Sequence, residues 1–196
     1  MQERQVTIGG ETHPLPQPFF VLATQNPIEH EGTYPLPEAQ LDRFMLKIQV
    51  EYPDHASEHS IIERSLQGHA LEVQPTVAAK ELQQLVDEST RIEVTERIRE
   101  YIVRILEATR TPASYSLKEL EPLIELGASP RAGVMLAKAV RSFAYINGRN
   151  YVLPEDVKEL APDVLCHRLV LTYEAEAQGV SPEAIVERLL ASVGIP

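Results

Sequence analysis

The chain has 196 residues, the length of one or two domains on the usual scale of ~100–200 residues each. With 43% hydrophobic and 24% charged residues it has the composition of a globular protein, and no apolar run reaches the ~18–20 residues of a membrane span. Its 18 basic and 29 acidic residues leave a net charge of −11, which argues against a protein that holds nucleic acid through phosphate contacts.

In chain order, Gln5–Ile8 alternates polar and apolar residues and is followed by Gly9-Gly10 and then Glu11-Thr12-His13. This predicts a hairpin, because tight primed turns need positive φ and glycine adopts it freely. Pro14, Pro16 and Pro18 then interrupt regular pairing, since proline has no amide donor. The 15 prolines make up about 8% of the chain against an average near 5%, and seven fall in the first 53 residues. Phe19-Phe20-Val21-Leu22-Ala23 is apolar on both faces and predicts a strand of a covered parallel sheet, stopped by Thr24-Gln25-Asn26-Pro27. Residues 28–40 form a loop rich in proline and glutamate, and Met45 to Val50 predicts a second strand.

From Pro53 the period becomes helical. Asp54 caps a helix with Ile61, Ile62 and Leu66, and Gly68 is its stop. Leu82, Leu85 and Val86 mark a second helix, and Val94, Ile98, Tyr101, Ile102, Ile105 and Leu106 mark a third with a clean i, i+4, i+7, i+8 stripe. Ser129-Pro130, Pro154-Glu155-Asp156 and Ser181-Pro182-Glu183 each open a further helix, the first carrying Leu136, Ala139, Val140 and Phe143 on one face. The fold class expected is mostly α. Residues 1–52 form a hairpin and two strands belonging to an α/β core, and residues 53–196 form an all-α domain.

Three local patterns mimic chemistry without the context for it. His55-Ala56-Ser57-Glu58-His59 matches a zinc-binding spacing, but no further acid stands in a matching setting, so it reads as a solvated first helical turn and no metal is expected. Leu85-Val86-Asp87-Glu88 imitates an acidic strand end, yet the preceding residues are amphipathic helix. Cys166 and His167 are adjacent, so their side chains diverge and the cysteine is a core residue. A single cysteine builds no disulfide framework, and the amino terminus has no basic-then-apolar leader, which fits a cytoplasmic protein.

Three residues are candidates for function. Asn26 follows a buried strand, at the carboxyl end where open sheets place ligands; it either shapes a turn before proline or orients a water or phosphate. Arg43, between Asp42 and Phe44, either pairs with an acid such as Asp42 or points outward to a partner, and guanidinium suits charge on a transferring phosphoryl group. Arg131 lies in the first turn of its helix, where a cation opposes the helix dipole by ~0.3–1 kcal/mol. It is either an exposed arginine bearing that small cost or a residue that meets a docked anion.

The stretch from Val21 to Pro27, then Glu31-Gly32-Thr33-Tyr34-Pro35-Leu36-Pro37-Glu38-Ala39-Gln40-Leu41-Asp42-Arg43-Phe44, resembles the MoxR family of AAA+ ATPases. Ser129-Pro130-Arg131-Ala132 and His167-Arg168-Leu169-Val170-Leu171 resemble that family's helical lid. The resemblance implies that Asn26 is the sensor 1 residue, Arg43 an arginine finger acting on a neighbouring subunit's nucleotide, and Arg131 the sensor 2 arginine. It also implies that the Gly9-Gly10 hairpin is the pre-sensor 1 hairpin, which commonly projects toward a ring pore. An intact relative is expected to bind ATP and Mg2+, to form a ring, commonly a hexamer, and to act as a chaperone-like motor. Its expected partners include von Willebrand A-domain proteins, with metal-cofactor insertion as one outcome. The sequence departs from the family in one respect: no glycine is followed by lysine anywhere, so the phosphate-binding loop is absent, as is the strand ending in Asp-Glu. The expectation is therefore the carboxyl-terminal part of such an ATPase, inactive by itself and without tight nucleotide binding. The alternative is a non-catalytic helical interaction or regulatory module.

Overall fold

The structure is a computed structural model that describes residues 5–25, 36–68 and 73–195. Two short antiparallel ribbons accompany a set of helices. β1 (Gln5–Ile8) pairs with β2 (Glu11–Pro14) in the register Gln5↔Pro14 to Ile8↔Glu11. Gly9 at φ 59° and Gly10 at φ 90° close the turn, as the primed hairpin requires. Thr7 and Thr12 face each other across the ribbon, their hydroxyls 3.1 Å apart.

The two expected strands carry no ladder. Residues 19–23 and 45–50 have no strand pairing, and Phe20, Leu22, Ile48 and Val50 are all exposed. The physical reason is that a strand is defined by its neighbours: among the described residues, the strand pairing is confined to β1–β2, a second small ribbon and an isolated Glu93–Tyr151 bridge. The second segment is instead tied to the helical domain, because the Lys47 amide donates to the Asp163 carbonyl at 2.9 Å and Leu46 packs on the core. The loop expected through residue 40 also ends early. Pro37, at φ −56°, starts a single helical turn, α1 (Glu38–Leu41), with Glu38 at its positive end.

The helices follow the sequence pattern closely. α2 (His55–Gln67) begins where the Asp54 carboxylate accepts the Ser57 amide at 2.8 Å, and it stops at Gly68 in the left-handed region. It buries none of its residues, so Ile61, Ile62 and Leu66 face solvent in this chain. α3 (Ala79–Ser89) is helical through Asp87-Glu88, as its amphipathic lead predicts. α4 (Glu96–Arg110), capped by Thr95, buries Ile98, Tyr101, Ile102, Ile105 and Leu106 of the predicted stripe and adds Ala108 and Thr109, while Val94 lies before the helix, half-buried against the core.

After two short 3₁₀ turns comes β3 (Ile124–Leu126), then α5 (Pro130–Ile146), whose buried face is Ala132, Met135, Leu136, Ala139, Val140 and Ala144. α6 (Pro154–Leu165) packs against α5 and leads through a 3₁₀ turn, Cys166–Arg168, to β4 (Val170–Leu171), which pairs antiparallel with β3. α7 (Tyr173–Ala177) and α8 (Pro182–Ser192) complete the domain, and α8 inserts Ile185, Val186 and Leu189 into the core. The α5–α6 turn is fastened by a two-pronged pair, Arg149 Nη1 and Nη2 donating to Asp156 Oδ2 and Oδ1 at 2.6 Å each. Asp156 also accepts the Leu153 amide at 2.8 Å, so one carboxylate caps α6 and anchors the turn before it.

Gly127 sets the entry of α5. A Cβ there would lie 2.6 Å from the Thr109 carbonyl oxygen, so only glycine lets the chain leave β3 this close to the end of α4. The contact is reinforced one residue later, where the Ala128 amide donates to the buried Thr109 hydroxyl at 3.0 Å. The first turn of α5, with Ser129 and Arg131, is thereby placed against the turn that follows α1.

Candidate functional site

Asp42 is the residue on which the site converges. Its carboxylate, about one-fifth exposed, accepts Arg168 Nε at 2.9 Å, Ser129 Oγ at 3.2 Å to either oxygen, and Arg131 Nη1 at 3.3 Å. These donors come from the turn before β4 and from the start of α5, so three separate parts of the chain meet at one acid.

Arg168 is the buried member. Its side chain is 1% exposed, and its donors are all used: beyond Asp42 Oδ1 it reaches the Asp42 carbonyl at 3.1 Å and the carbonyls of Met45 at 3.4 Å, Phe44 and Val164. Burial lowers its pKa and Asp42 opposes that effect; a guanidinium in such a setting stays charged. Its Nη1 also lies 2.8 Å from His167 Nε2. His167 Nε2 also lies 3.3 Å from the Phe44 carbonyl oxygen, so it faces both a donor and an acceptor, and Nδ1 is a buried atom without a hydrogen-bond partner among the described residues. Burial first, and Arg168 second, push the His167 pKa down to about 4, so the ring is neutral at neutral pH.

The candidates from the sequence fall out as follows. Asn26 lies outside the described residues. Arg43 is exposed, and among the described residues its side chain has no ion pair. Of the two alternatives for it, the pairing with Asp42 is not made: the acid is committed to Arg168, Ser129 and Arg131. Arg131 is exposed and pairs with Asp42, which offsets its unfavourable place at the helix start. Ser129 sits at the cap position of α5, but its hydroxyl makes no cap hydrogen bond and turns to Asp42 instead.

Sequence reasoning passed over Arg168 as a site residue. The only signal was its place in His167-Arg168-Leu169, a charged residue inside an otherwise apolar run. The zinc-like spacing at His55 and His59 stays on the exposed face of α2, and no group of three metal-binding side chains is gathered among the described residues. Cys166 is buried, and burial, with Glu183 next, pushes its thiol up to about 12. No helix of the described residues is long and apolar enough to cross a membrane.

Comparison with known proteins agrees with this layout. Residues 1–46 match the model of the ATPase family associated with various cellular activities, and residues 118–189 match that of the AAA lid domain. The chain is 46% identical over its whole length to the chaperone MoxR1 of Mycobacterium tuberculosis, covering 52% of that protein. It is 41% identical to the uncharacterised protein YeaC of Bacillus subtilis, covering 59% of it, and 28% identical to the protein MoxR of Paracoccus denitrificans, covering 61%. The crystal structure of a protein assigned as an ATPase from Cytophaga hutchinsonii superposes with a TM-score of 0.93 at 46% identity, covering all of this chain and 59% of that one. The two matched segments are AAA-type, the second of them a lid. The chain belongs to the MoxR family of AAA+ ATPases, and it spans about half to three-fifths of the length of the curated relatives it matches.

Proposed function

We propose that this chain carries the transducing part of a MoxR-type AAA+ motor, with residues 1–52 completing a nucleotide-binding core and residues 53–196 forming its lid. The observation that carries the reading is the Asp42 node: the acid holds the lid through Arg168 and Ser129 while the next residue, Arg43, is left exposed with no ion pair among the described residues. In the intact protein Arg43 stabilises phosphoryl charge on a neighbouring subunit's ATP, and Arg131 couples the lid to the nucleotide state. Asn26 positions the attacking water by family resemblance. The residues here suit those edge contacts; the phosphate cradle and the Mg2+ ligands require the Gly-Lys loop and the Asp-Glu strand end that this sequence lacks. ATP hydrolysis then works on partner proteins in a ring, commonly a hexamer, with von Willebrand A-domain proteins and metal-cofactor insertion as the family's characteristic outlets. A cytoplasmic setting is supported by the lone, buried Cys166, and a nucleic-acid partner is disfavoured by the net charge of −11.

The test joins this chain to the ATP-binding half of its own protein and compares wild type with Arg43→Ala. A trans-acting arginine loses at least about 100-fold in turnover while ATP affinity is kept. Unchanged turnover supports the second reading, a non-catalytic interaction module, which the exposed Ile61, Ile62 and Leu66 of α2 favour. The 196 residues alone hydrolyse no ATP under the first reading, and turnover that co-purifies with the chain through successive columns refutes it.

A further inference from the structure

We infer that Asp42, Ser129 and Arg168 are positioning residues for Arg43: they clamp the turn that carries it onto the lid and so set the direction in which its guanidinium leaves the surface. The inference rests on the proposed trans-acting role of Arg43. Arg168 grips the backbone on both sides of that residue, through the Asp42 carbonyl at 3.1 Å before it and the Phe44 and Met45 carbonyls after it. The Asp42 carboxylate is held as well, by Arg168 Nε at 2.9 Å and Ser129 Oγ at 3.2 Å. Residues 42, 44 and 45 are therefore bound from the lid side and residue 43 alone is passed over, which leaves its side chain only the solvent direction.

Simple stabilisation does not call for this arrangement. A charged side chain with 1% exposure is costly to bury, and replacing a whole buried ion pair by apolar side chains of similar volume is often as stable or more so. What the guanidinium provides is a planar fork that fixes several acceptors in one geometry at once. The same carboxylate also meets Arg131 at 3.3 Å, so the start of α5 and the orientation of Arg43 share a single acceptor. When Arg131 turns to an anion, Asp42 loses one of its three partners and the clamp on Arg43 loosens from that side.

The test has two arms. In the 196-residue chain, Asp42→Asn raises hydrogen exchange at the amides of Arg43, Phe44 and Lys47 at least about tenfold, while α4 and α6 keep their protection. Ser129→Ala gives the same pattern more weakly and serves if the first variant folds poorly. No rise at these amides, or an equal rise throughout the lid, overturns the inference. In the longer protein that includes the ATP-binding half, Asp42→Asn lowers kcat at least about tenfold with KM for ATP nearly unchanged. Combined with Arg43→Ala it adds nothing, because its effect runs through Arg43. Losses that multiply in the double variant overturn the positioning role. Full turnover in Arg43→Ala removes the trans-acting role itself, a distinct result.

Discussion

The Arg168 guanidinium donates to the Asp42 carboxylate at 2.9 Å across 126 positions of sequence, and this one bond joins the turn after α1 to the turn before β4. Its consequences for stability follow from burial. Arg168→Met deletes the donors that Asp42, Phe44, Met45 and Val164 all use, leaving several acceptors unmet in the interior. Removing one partner of a buried pair costs about 3–5 kcal/mol. Urea unfolding of the variant is expected to show a loss of that size, and a loss below about 1 kcal/mol shows that the pair is not buried as described.

His167 gives the fold a pH dependence of defined sign. The ring has a pKa of about 4 when folded against 6.5 as a free side chain, so between those values the unfolded chain binds the extra proton. Stability is then fully present above about pH 6.5 and falls as pH drops toward 4, by up to about 3 kcal/mol. Asp163, raised by burial and then by Glu159, acts in the opposite direction at lower pH. Subtracting the denaturation profile of His167→Gln from that of the wild type isolates the histidine. A flat difference between pH 4 and 7 contradicts the buried neutral ring.

Cys166 is expected to be unreactive. Burial holds its thiol protonated to about pH 12 in the folded chain. At pH 8 a disulfide reagent is expected to modify the native chain at least about 100-fold more slowly than the urea-unfolded one. A folded-state raised thiol pKa also means that stability falls as pH rises above the ordinary value of about 9, where only the unfolded chain releases the proton. Equal labelling rates in the two states contradict the burial.

Gly127→Ala is expected to cost about 1–3 kcal/mol, because the added methyl meets a backbone oxygen 2.6 Å away that cannot swing aside. Thermal melting checks it. A neutral substitution shows that the strand-to-helix passage has room for a methyl group.

How much of this was legible beforehand depended on the range of each interaction. The Gly9-Gly10 hairpin and the α4 stripe are local, and the sequence spelled both out. The runs at 19–23 and 45–50 carry strand composition, but pairing needs neighbours that a local pattern cannot contain. Ser129 was readable as a helix cap from its place before Pro130, yet its hydroxyl went to Asp42, an acid 87 positions away. Arg43 was readable only as a choice between pairing and exposure, and what decided it was Arg168, a competitor for the same carboxylate that no spacing rule reveals. Asn26 falls outside the described residues, so its role rests on the family resemblance.

The node has a further property as a source of field. Arg168, Arg131 and the adjacent Arg43 contribute three positive charges and Asp42 one negative, while His167 is neutral, leaving +2 at one spot on a chain whose total is −11. At physiological ionic strength that potential reaches only about one Debye length, roughly 8 Å, before counter-ions cancel it. The acidic remainder of the surface repels anions at longer range, so a polyanion is drawn in only at close quarters, and the attraction fades steeply as salt is added.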